Sequence, residues 1–468
     1  MEVLGITQSV CPTCRRIVPA RVEFEDNSVF LRKFCTDHGE DRPMIRRGVE
    51  EYLRAHRYVK PAQLPDSFAG DDAKPCPEGC GFCSRHEQHL CMPIIEITSR
   101  CNMTCPVCIA DAGRDWDMSV EQFSQILDSL LAAERQVDVL NLSGGEPLIH
   151  GRLLDIVDEA LSRSGIVRVS ISTNGRRLLD DDGLLEALAE RDVVISLQFD
   201  GLDDDVYQTL RGEPLADEKR RILDALQAAD VTTSLTMTLA GGVNESQLDE
   251  VVNCLLQRDH VLSLMIQPLA FAGRGVGLTD TARRLSIPDV VRLLGDTANP
   301  AVRSEDFVPL PCSHPLCFSL AFYLKLDDGS SASIAGMLDA PNLLDAIANR
   351  TVFGLDEQEF ERLREMVYDL WSGPVGSAPD GQAVMSTLSG IMREISCRTG
   401  CFDPRGAFGL AERRIKSIFI HAFQDADTFD LARVRRCCNA YPQPDGKLIP
   451  ACVHNVLGRR TQETGDPR

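Results

Sequence analysis

Three cysteines, Cys101, Cys105 and Cys108, form a CxxxCxxC spacing in the segment CNMTCPVC. Thiolates are the usual protein ligands of iron-sulfur clusters, so a four-iron cluster held by three of them keeps one iron open to another ligand. A structural zinc site is the alternative, but such sites normally close with four protein ligands, and this loop offers no fourth. The spacing therefore predicts a cluster with one open coordination position.

Three short polar turns follow apolar segments downstream of the cysteine loop. They are SGGEP, STNG and QFDG, and their candidate cofactor-binding residues are Gly144, Gly145, Glu146, Pro147, Ser172, Thr173, Asn174, Gln198 and Asp200. Glycine lets backbone groups approach a ligand closely, and the small polar side chains offer donors and acceptors. Ordinary polar turns are the alternative interpretation, and an aspartate before glycine is a common turn former.

The cysteine loop followed by these turns resembles the radical S-adenosylmethionine (radical SAM) superfamily. The resemblance implies that the open iron binds the amine and carboxylate of S-adenosylmethionine and that the GGEP turn contacts its methionyl amine. It also implies reductive cleavage to methionine and a 5'-deoxyadenosyl radical, which abstracts hydrogen from an unactivated carbon. The protein's part would be orientation and the exclusion of water. By the same resemblance, the backbone of IQPLAFAGRG flanks the adenine.

The elements that must position these residues follow the cysteine loop as alternating strand-like and helical segments. From Pro93 onward, six short apolar runs predict strands: PIIEIT, VDVLNLS, VRVSIS, VVISLQF, TSLTMTL and LSLMIQPLA. Amphipathic segments separate them, which is typical of parallel α/β architecture. We predict an α/β fold containing a partial (β/α)6 TIM barrel over residues 93–275. Each polar turn then lies after a strand's carboxyl end, where barrel enzymes carry their active sites.

A small metal-binding module is predicted at residues 1–65. CPTC supplies Cys11 and Cys14, a hairpin follows through RVEFEDNSVFLRKF, and CTDHG supplies Cys35 and His38. These four residues could hold zinc or a single iron in tetrahedral geometry. The alternative for His38 is a turn residue beside Gly39.

Residues 66–92 form a cysteine-rich belt, CPEGCGFCSRHEQHLC. Its Cys76, Cys80, Cys83 and Cys91 are sufficient for an auxiliary 4Fe-4S cluster, with zinc as the alternative metal. Two histidines of this belt, His86 and His89, are expected to be hydrogen-bonded neighbours of the site rather than ligands, because four sulfurs are available.

Residues 276–457 are predicted to form a C-terminal auxiliary-cluster domain, followed by a mobile tail at 458–468. Its seven cysteines are Cys312, Cys317, Cys397, Cys401, Cys437, Cys438 and Cys452. We expect Cys312, Cys317, Cys438 and Cys452 to bind a second auxiliary 4Fe-4S cluster. Cys437 is an alternative to Cys438, and the pair Cys397 and Cys401 is an alternative to either half of the set. Cys254, on a predicted helix, is expected to be a buried apolar residue.

The amino-acid composition limits the classes of protein to which this chain can belong. The chain has 468 residues, 43% hydrophobic and 25% charged, with a net charge of -21. It contains no apolar run of about 18 residues and no secretory signal pattern at its start. The negative charge disfavours a broad nucleic-acid-binding surface, although a local basic patch stays open. Cysteines in CxxC, CxxxC and CxxxCxxC groups indicate metal sites rather than disulfides. We therefore expect a cytoplasmic protein.

Four cysteine features narrow the resemblance further: SVCPTC, CPEGCGFC, CSHPLC and RRCCNAYPQPDGKLIPAC. From Thr7 to about Leu457, the chain resembles the tetraether lipid synthase family, whose members often carry the label of a pterin methyltransferase. That resemblance implies coupling of terminal carbons of two lipid chains, two auxiliary 4Fe-4S clusters and a rubredoxin-like iron. It also implies a reductant such as a ferredoxin or flavodoxin and contact with the membrane surface.

Two other functions stay open from the sequence. A radical SAM methyltransferase acting on a pterin would need a short pocket with convergent polar groups, whereas a hydrocarbon substrate would need an apolar tunnel. A non-catalytic carrier of electrons with several clusters is the third possibility, but it would have no use for the GGEP and STNG turns.

Overall fold

The N-terminal module is a small antiparallel sheet. The computed structural model describes residues 2–110, 112–335, 344, 348–349, 383–390 and 413–459. The module's strands are β1 Glu2–Val10, β2 Ile17–Glu25, β3 Ser28–Cys35, β4 Gly39–Asp41 and β5 Met44–Arg47, followed by helix α1 Val49–Arg57. The predicted hairpin joins β2 to β3 through Asp26 and Asn27, whose positive φ angles of 47° and 59° suit a tight turn.

A parallel sheet of six neighbouring strands follows. Its strands are β6 Met92–Thr98, β7 Val137–Gly144, β8 Ile166–Thr173, β9 Val194–Gln198, β10 Thr233–Leu239 and β11 Val261–Pro268. They pair in chain order, which confirms the predicted partial barrel. The helices of this region are α2 Val120–Glu134, α3 Leu153–Leu161, α4 Arg177–Asp180, α5 Asp182–Glu190, α6 Asp204–Arg211, α7 Ala216–Ala228, α8 Leu248–Gln257 and α9 Ile287–Gly295.

Alternation along the strands divides the barrel into two faces. Leu140 and Leu142 of β7 are fully buried in the main hydrophobic core, whereas Val139 and Asn141 line a cavity inside the barrel. Helix α2 begins at a capping box in which the Ser119 hydroxyl accepts from a backbone N–H. The core thus fixes the strands, and the strands fix the turns at their carboxyl ends.

Strands from the C-terminal part of the chain extend this sheet on both sides. They are β12 Val308–Pro309, β13 Phe318–Lys325, β14 Ser331–Ser333, β15 Ile415–His421, β16 Asn439–Pro442 and β17 Leu448–Pro450. Strand β15 lies parallel to β11, and β16 pairs in parallel with β6. The sequence pattern predicted that the barrel ends near residue 275. The structure adds β15 as a further parallel strand, far from β11 in the chain and without a local signal that links the two.

The N-terminal module packs on the C-terminal region. The Ser9 hydroxyl donates to the Phe429 carbonyl at 2.6 Å, and the buried Lys33 ammonium donates to the carbonyls of Ala426 and Asp427. That C-terminal stretch leads into the short helices α10 Leu431–Arg435 and α11 Ala451–Val453. Among the described helices, none combines the length and apolar character needed to cross a bilayer.

Candidate active site

The predicted cluster ligands lie directly after the carboxyl end of β6. Cys101, Cys105 and Cys108 are all half-buried, with free thiols. Burial raises the pKa of Cys101 to about 11. Burial also raises the pKa of Cys105, and the positive charge of Arg211 partly opposes this rise. A metal would favour the thiolate forms, so the donor set fits an iron-sulfur cluster.

The GGEP turn packs against the backbone that leads into the cysteine loop. The amide of Gly145 donates to the Thr98 carbonyl and that of Glu146 to the Arg100 carbonyl, both at 2.8 Å. A Cβ on Gly144 would lie 2.1 Å from the Thr98 oxygen, and Gly144 has a φ of 125°. Glycine is therefore required here because two protein backbones touch, rather than because of a ligand alone.

Glu146 connects the first polar turn, SGGEP, to the second, STNG. Its side chain is 1% exposed, and its carboxylate accepts from the Leu148 amide at 3.0 Å, the Thr173 hydroxyl at 2.6 Å and the Asn174 amide at 2.7 Å. The Asn174 side chain donates in turn to Asn102 Oδ1, between the cluster cysteines, at 2.8 Å. These predicted residues thus come together, and Glu146 acts as the acceptor that joins them. Ser172 faces the barrel interior and bonds to Asn141 instead.

Asp200 has a different role from the predicted contact with the cofactor. The residue is fully buried, and its carboxylate accepts two bonds from Arg211 at 2.6 and 3.0 Å and one from the Thr238 amide at 2.9 Å. Gln198 donates to the same carboxylate, while its Oε1 is buried without a partner among the described residues. Gln198 is therefore the member of this turn with an acceptor available to a ligand, and Asp200 positions the side chains around it.

Three polar residues of the site have no motif in the sequence to mark them. Arg211 ends α6, Lys219 lies on α7, and Asn102 lies between two cysteines. Lys219 is fully buried and donates to the Asn174 carbonyl at 2.6 Å. Burial lowers the pKa of Lys219 to about 7, and the Arg211 charge adds to this effect. A charged residue within an amphipathic helix would ordinarily be assigned to the solvent face, so the pattern could not identify it.

The four ligand candidates of the N-terminal module converge. The ligand atoms of Cys11, Cys14, Cys35 and His38 all lie within 4.8 Å of one another. The hydrogen bond from His38, with smaller contributions from neighbouring thiols, lowers the pKa of Cys35 to about 7 although burial opposes it. The arrangement suits a tetrahedral metal ion with His38 as the fourth ligand.

The four belt cysteines, which the sequence predicts to form one site, do not lie in one group. Cys76 and Cys80 share a thiol hydrogen bond. This bond and burial raise the pKa of Cys80, and the nearby Cys83 adds to the rise. Cys91 instead hydrogen bonds with the thiols of Cys312 and Cys438, and these two neighbours, with burial, raise its pKa well above the usual range. The reason is that the segment after Cys83 turns toward β16: the Cys91 amide donates to the Cys438 carbonyl at 2.9 Å.

The four cysteines predicted to form the C-terminal site, Cys312, Cys317, Cys438 and Cys452, also lie in two separate groups. Cys317 packs with Cys91 and Cys438 in one buried cluster. Cys452 lies in another apolar cluster, against which Cys76 and Cys80 pack. Cys437 is half-buried near Cys452, and its thiol donates to the Asn439 carbonyl at 3.0 Å. Cys397 and Cys401 lie outside the described residues.

Three further residues, His86, His89 and Cys254, are predicted from the sequence not to be metal ligands. His86 stacks on Phe82 and lies 2.9 Å from the Cys437 carbonyl, as a hydrogen-bonded neighbour. His89 lies 3.3 Å from the Glu134 carboxylate and 3.6 Å from the Cys91 sulfur. Cys254 is half-buried on α8 against the core.

A cavity of about 320 Å³ fills the barrel interior. Its walls combine aliphatic and aromatic side chains of the added strands, such as Phe318, Phe322 and Phe419, with small hydroxyls of the barrel strands. Many of these hydroxyls bond to each other, as Ser196 does to Thr236 at 2.9 Å. The interior is therefore largely apolar in character, and Cys91 and Cys438 reach its wall.

A second cavity of about 380 Å³ lies beside β6 and the GGEP turn and is more polar. Glu96, Tyr441, His454 and Arg459 converge on it. Arg459 donates to the Glu96 carboxylate at 2.6 Å and to the Ala110 carbonyl at 3.0 Å. Although burial raises the pKa of Glu96, contact with His454 and the Arg459 charge bring it down to about 2.

Comparison with known proteins gives a consistent picture. Residues 95–255 match the model of the radical SAM superfamily, and residues 3–47 match that of the HMPTM N-terminal zinc ribbon domain. The 7,8-dihydro-6-hydroxymethylpterin dimethyltransferase of Methanocaldococcus jannaschii is 25% identical over 98% of this chain and 94% of its own length.

Two further similarities cover less of the chain. The mycofactocin maturase of Mycolicibacterium smegmatis is 30% identical over 40% of this chain and 46% of its own length. The crystal structure of Streptococcus suis SuiB bound to S-adenosylmethionine aligns with 44% of this chain and 46% of its own, at 15% identity and a TM-score of 0.37. The chain thus spans about half the length of these two proteins.

Proposed function

We propose that this chain, whose residues 95–255 match the radical SAM superfamily, removes one hydrogen atom from an unactivated carbon of each of two hydrocarbon chains and joins the two carbons. For each hydrogen atom, one S-adenosylmethionine and one electron from an external reductant are consumed, and one methionine and one 5'-deoxyadenosine are released. A 4Fe-4S cluster with bound S-adenosylmethionine supplies the 5'-deoxyadenosyl radical for this step. The observation that carries the proposal is the joining of the cysteine loop to the two following turns through Glu146 and Asn174. That network fixes the groups around the open iron position before any ligand arrives.

The chain's own residues have separable tasks in this proposal. Cys101, Cys105 and Cys108 hold the cluster. The backbone of the GGEP turn and the uncommitted Gln198 Oε1 face the cofactor, while Glu146 and Asp200 keep those groups in place. The apolar barrel interior excludes water from the reactive intermediate.

We assign two auxiliary iron-sulfur sites to the remaining cysteines. The belt site comprises Cys76, Cys80 and Cys83, with Cys452 as its fourth ligand, because Cys452 shares an apolar cluster with the first two. The interior site comprises Cys91, Cys312, Cys317 and Cys438, because their thiols hydrogen bond or pack together. Compared with the sequence prediction, Cys91 and Cys452 exchange places. A ferredoxin or flavodoxin is the proposed reductant.

The barrel interior supports a hydrocarbon substrate. Its wall is largely aromatic and aliphatic, and several of the hydroxyls that line it bond to one another or to Asn141. Burying an apolar chain there is favoured by about 25 cal/mol per Å² of apolar surface. A lipid substrate would bring the protein to the membrane surface.

A pterin is the second candidate substrate. The relative from Methanocaldococcus jannaschii is described as a pterin dimethyltransferase and aligns over almost the whole chain. The cavity beside β6 supports this alternative, because Glu96, His454 and Arg459 offer acceptors and donors to a flat polar ring, and Trp116 lies on its wall.

Cys105→Ala should abolish conversion of S-adenosylmethionine to 5'-deoxyadenosine, because two thiolates cannot hold the cluster with its open iron in place. The assay is product formation by anaerobically reconstituted protein with a strong reductant. Cys254→Ala, which removes a half-buried helical thiol, is the matched control and should retain wild-type conversion. Conversion by the Cys105 variant at the wild-type rate would refute the assigned role.

Substrate class can be separated with two variants that leave the cysteine loop unchanged. Ser196→Phe fills the barrel interior, and His454→Gln alters the polar cavity. If a hydrocarbon occupies the interior, the Ser196 variant should lose the coupled lipid in extracts of cells that express it, while the His454 variant retains it. The reverse result, with loss of a methylated pterin only in the His454 variant, would favour the pterin. Both variants should still form 5'-deoxyadenosine without substrate.

A further inference from the structure

Arg433 is a buried cation that lies between the two groups of auxiliary cysteines. It belongs to the short helix α10, and the residue is 6% exposed. Its Nε donates to the Cys317 sulfur at 3.3 Å, and its Nη2 donates to the Ala422 carbonyl at 2.7 Å. The guanidinium is thus held in one orientation by a backbone acceptor while it contacts a thiol of the interior site.

Cysteines of both auxiliary sites contribute to the electrostatic surroundings of Arg433. The groups that stabilise its positive charge are Cys317, Cys452 and Asp430, in that part of the chain which the structure describes. Asp430 caps α10 through the Ala432 amide and also accepts from Thr7, so this carboxylate is shared with other donors. A buried cation is costly unless anionic groups face it, and thiolates or iron-sulfur clusters would supply that negative charge.

We infer that Arg433 is a positioning residue for the auxiliary iron-sulfur sites: it orients Cys317 through a direct hydrogen bond, and its charge raises the reduction potential of the interior cluster. This inference rests on the auxiliary sites of the proposed function but not on the substrate. A donor to a cluster thiolate stabilises the reduced, more negative state, and such hydrogen bonds are among the factors that set cluster potentials. Through Cys452 the same charge also reaches the belt site.

Arginine suits this position better than lysine because of its shape. A planar guanidinium can donate to Cys317 and Ala422 at once, whereas an ammonium is a point charge on a flexible stem. Arg433→Lys keeps the positive charge but loses the planar group that donates to both acceptors. Arg433→Gln loses the charge. The two variants therefore separate the contribution of charge from that of orientation.

The test is a redox titration followed by electron paramagnetic resonance. The background protein carries Cys101→Ala, Cys105→Ala and Cys108→Ala together, so that auxiliary signals are observed without the radical SAM cluster. Because Arg433→Gln removes a charge-assisted hydrogen bond, it should make reduction of one auxiliary cluster about tenfold less favourable, a fall of about 59 mV in the potential for one electron. Arg433→Lys should give a smaller fall.

Arg191→Gln provides the matched control. Arg191 pairs with Asp158 on the exposed exterior of the barrel, and its loss should leave every cluster potential unchanged. Unchanged potentials in Arg433→Gln at wild-type iron content, or a background protein without any auxiliary cluster signal, would overturn the inference. Formation of 5'-deoxyadenosine by the otherwise wild-type protein tests the proposed function independently of either result.

Discussion

Asp200→Asn should lower the free energy of unfolding by roughly 3–5 kcal/mol, because it leaves the Arg211 guanidinium, whose side chain is only 11% exposed, without its counter-charge. In the wild-type protein Asp200 is fully buried and accepts two bonds from Arg211, and the Thr238 amide donates to the same carboxylate. Asparagine keeps the size of the side chain but not its charge. Denaturant unfolding followed by circular dichroism measures the change.

The same substitution should also weaken binding of S-adenosylmethionine, measured by equilibrium dialysis. Gln198, whose amide donates to Asp200, would lose the anchor that orients it. Asp158→Asn on the barrel exterior is the control, and an exposed pair of that kind contributes about 0–1 kcal/mol. An Asp200 variant with the stability of wild type would show that Arg211 finds another counter-charge, and its assigned role would be wrong.

Glu146→Gln should have the second largest effect, with a loss of roughly 1–3 kcal/mol in the free energy of unfolding. The carboxylate accepts on both oxygens: Leu148 and Thr173 donate to Oε1, and the Asn174 amide donates to Oε2. A glutamine has one acceptor oxygen, so its NH₂ group would face at least one of these donors and leave it unpaired. The STNG turn should then separate from the GGEP turn.

This separation should disturb the cofactor site. The affinity of the folded protein for S-adenosylmethionine should therefore fall as well. Titration of the reconstituted protein with S-adenosylmethionine, followed by the change in the cluster's electron paramagnetic resonance signal, measures the affinity. Glu159→Gln is the control, because Glu159 pairs with Arg163 on the outer face of α3, away from the cofactor site. Equal affinities in the Glu146 variant and wild type would contradict the role of Glu146 as the connecting acceptor.

The sequence was sufficient to predict the barrel because its signals are local. Short apolar strands, capped amphipathic helices such as α2 and polar turns after the strands recur at each unit. The three cysteines of CNMTCPVC and the GGEP and STNG turns could be grouped for the same reason. Each lies at the carboxyl end of a parallel strand, and neighbouring parallel strands bring those ends together.

Other parts of the site depend on contacts between residues far apart in the chain. Cys91 appeared to complete the belt site because it lies only eight positions after Cys83 in the sequence, yet the structure turns it toward Cys312 and Cys438. Asp200 appeared to be a ligand contact or a turn former, and it is the counter-charge of Arg211 from the end of α6. Spacing predicts which residue types are present, but only tertiary packing decides which thiol or charge each one meets.

The position of β15 and β16 has a consequence for biogenesis. The six barrel strands on their own would have two edges with unpaired backbone groups. The strands that cover these edges, β15 beside β11 and β16 beside β6, are synthesised well after the barrel strands. Exposed strand edges recruit other chains, and contacts between distant segments form slowly. A nascent chain that stalls before residue 415 would therefore be prone to aggregate, and metal loading of the interior site must wait until Cys438 has been synthesised.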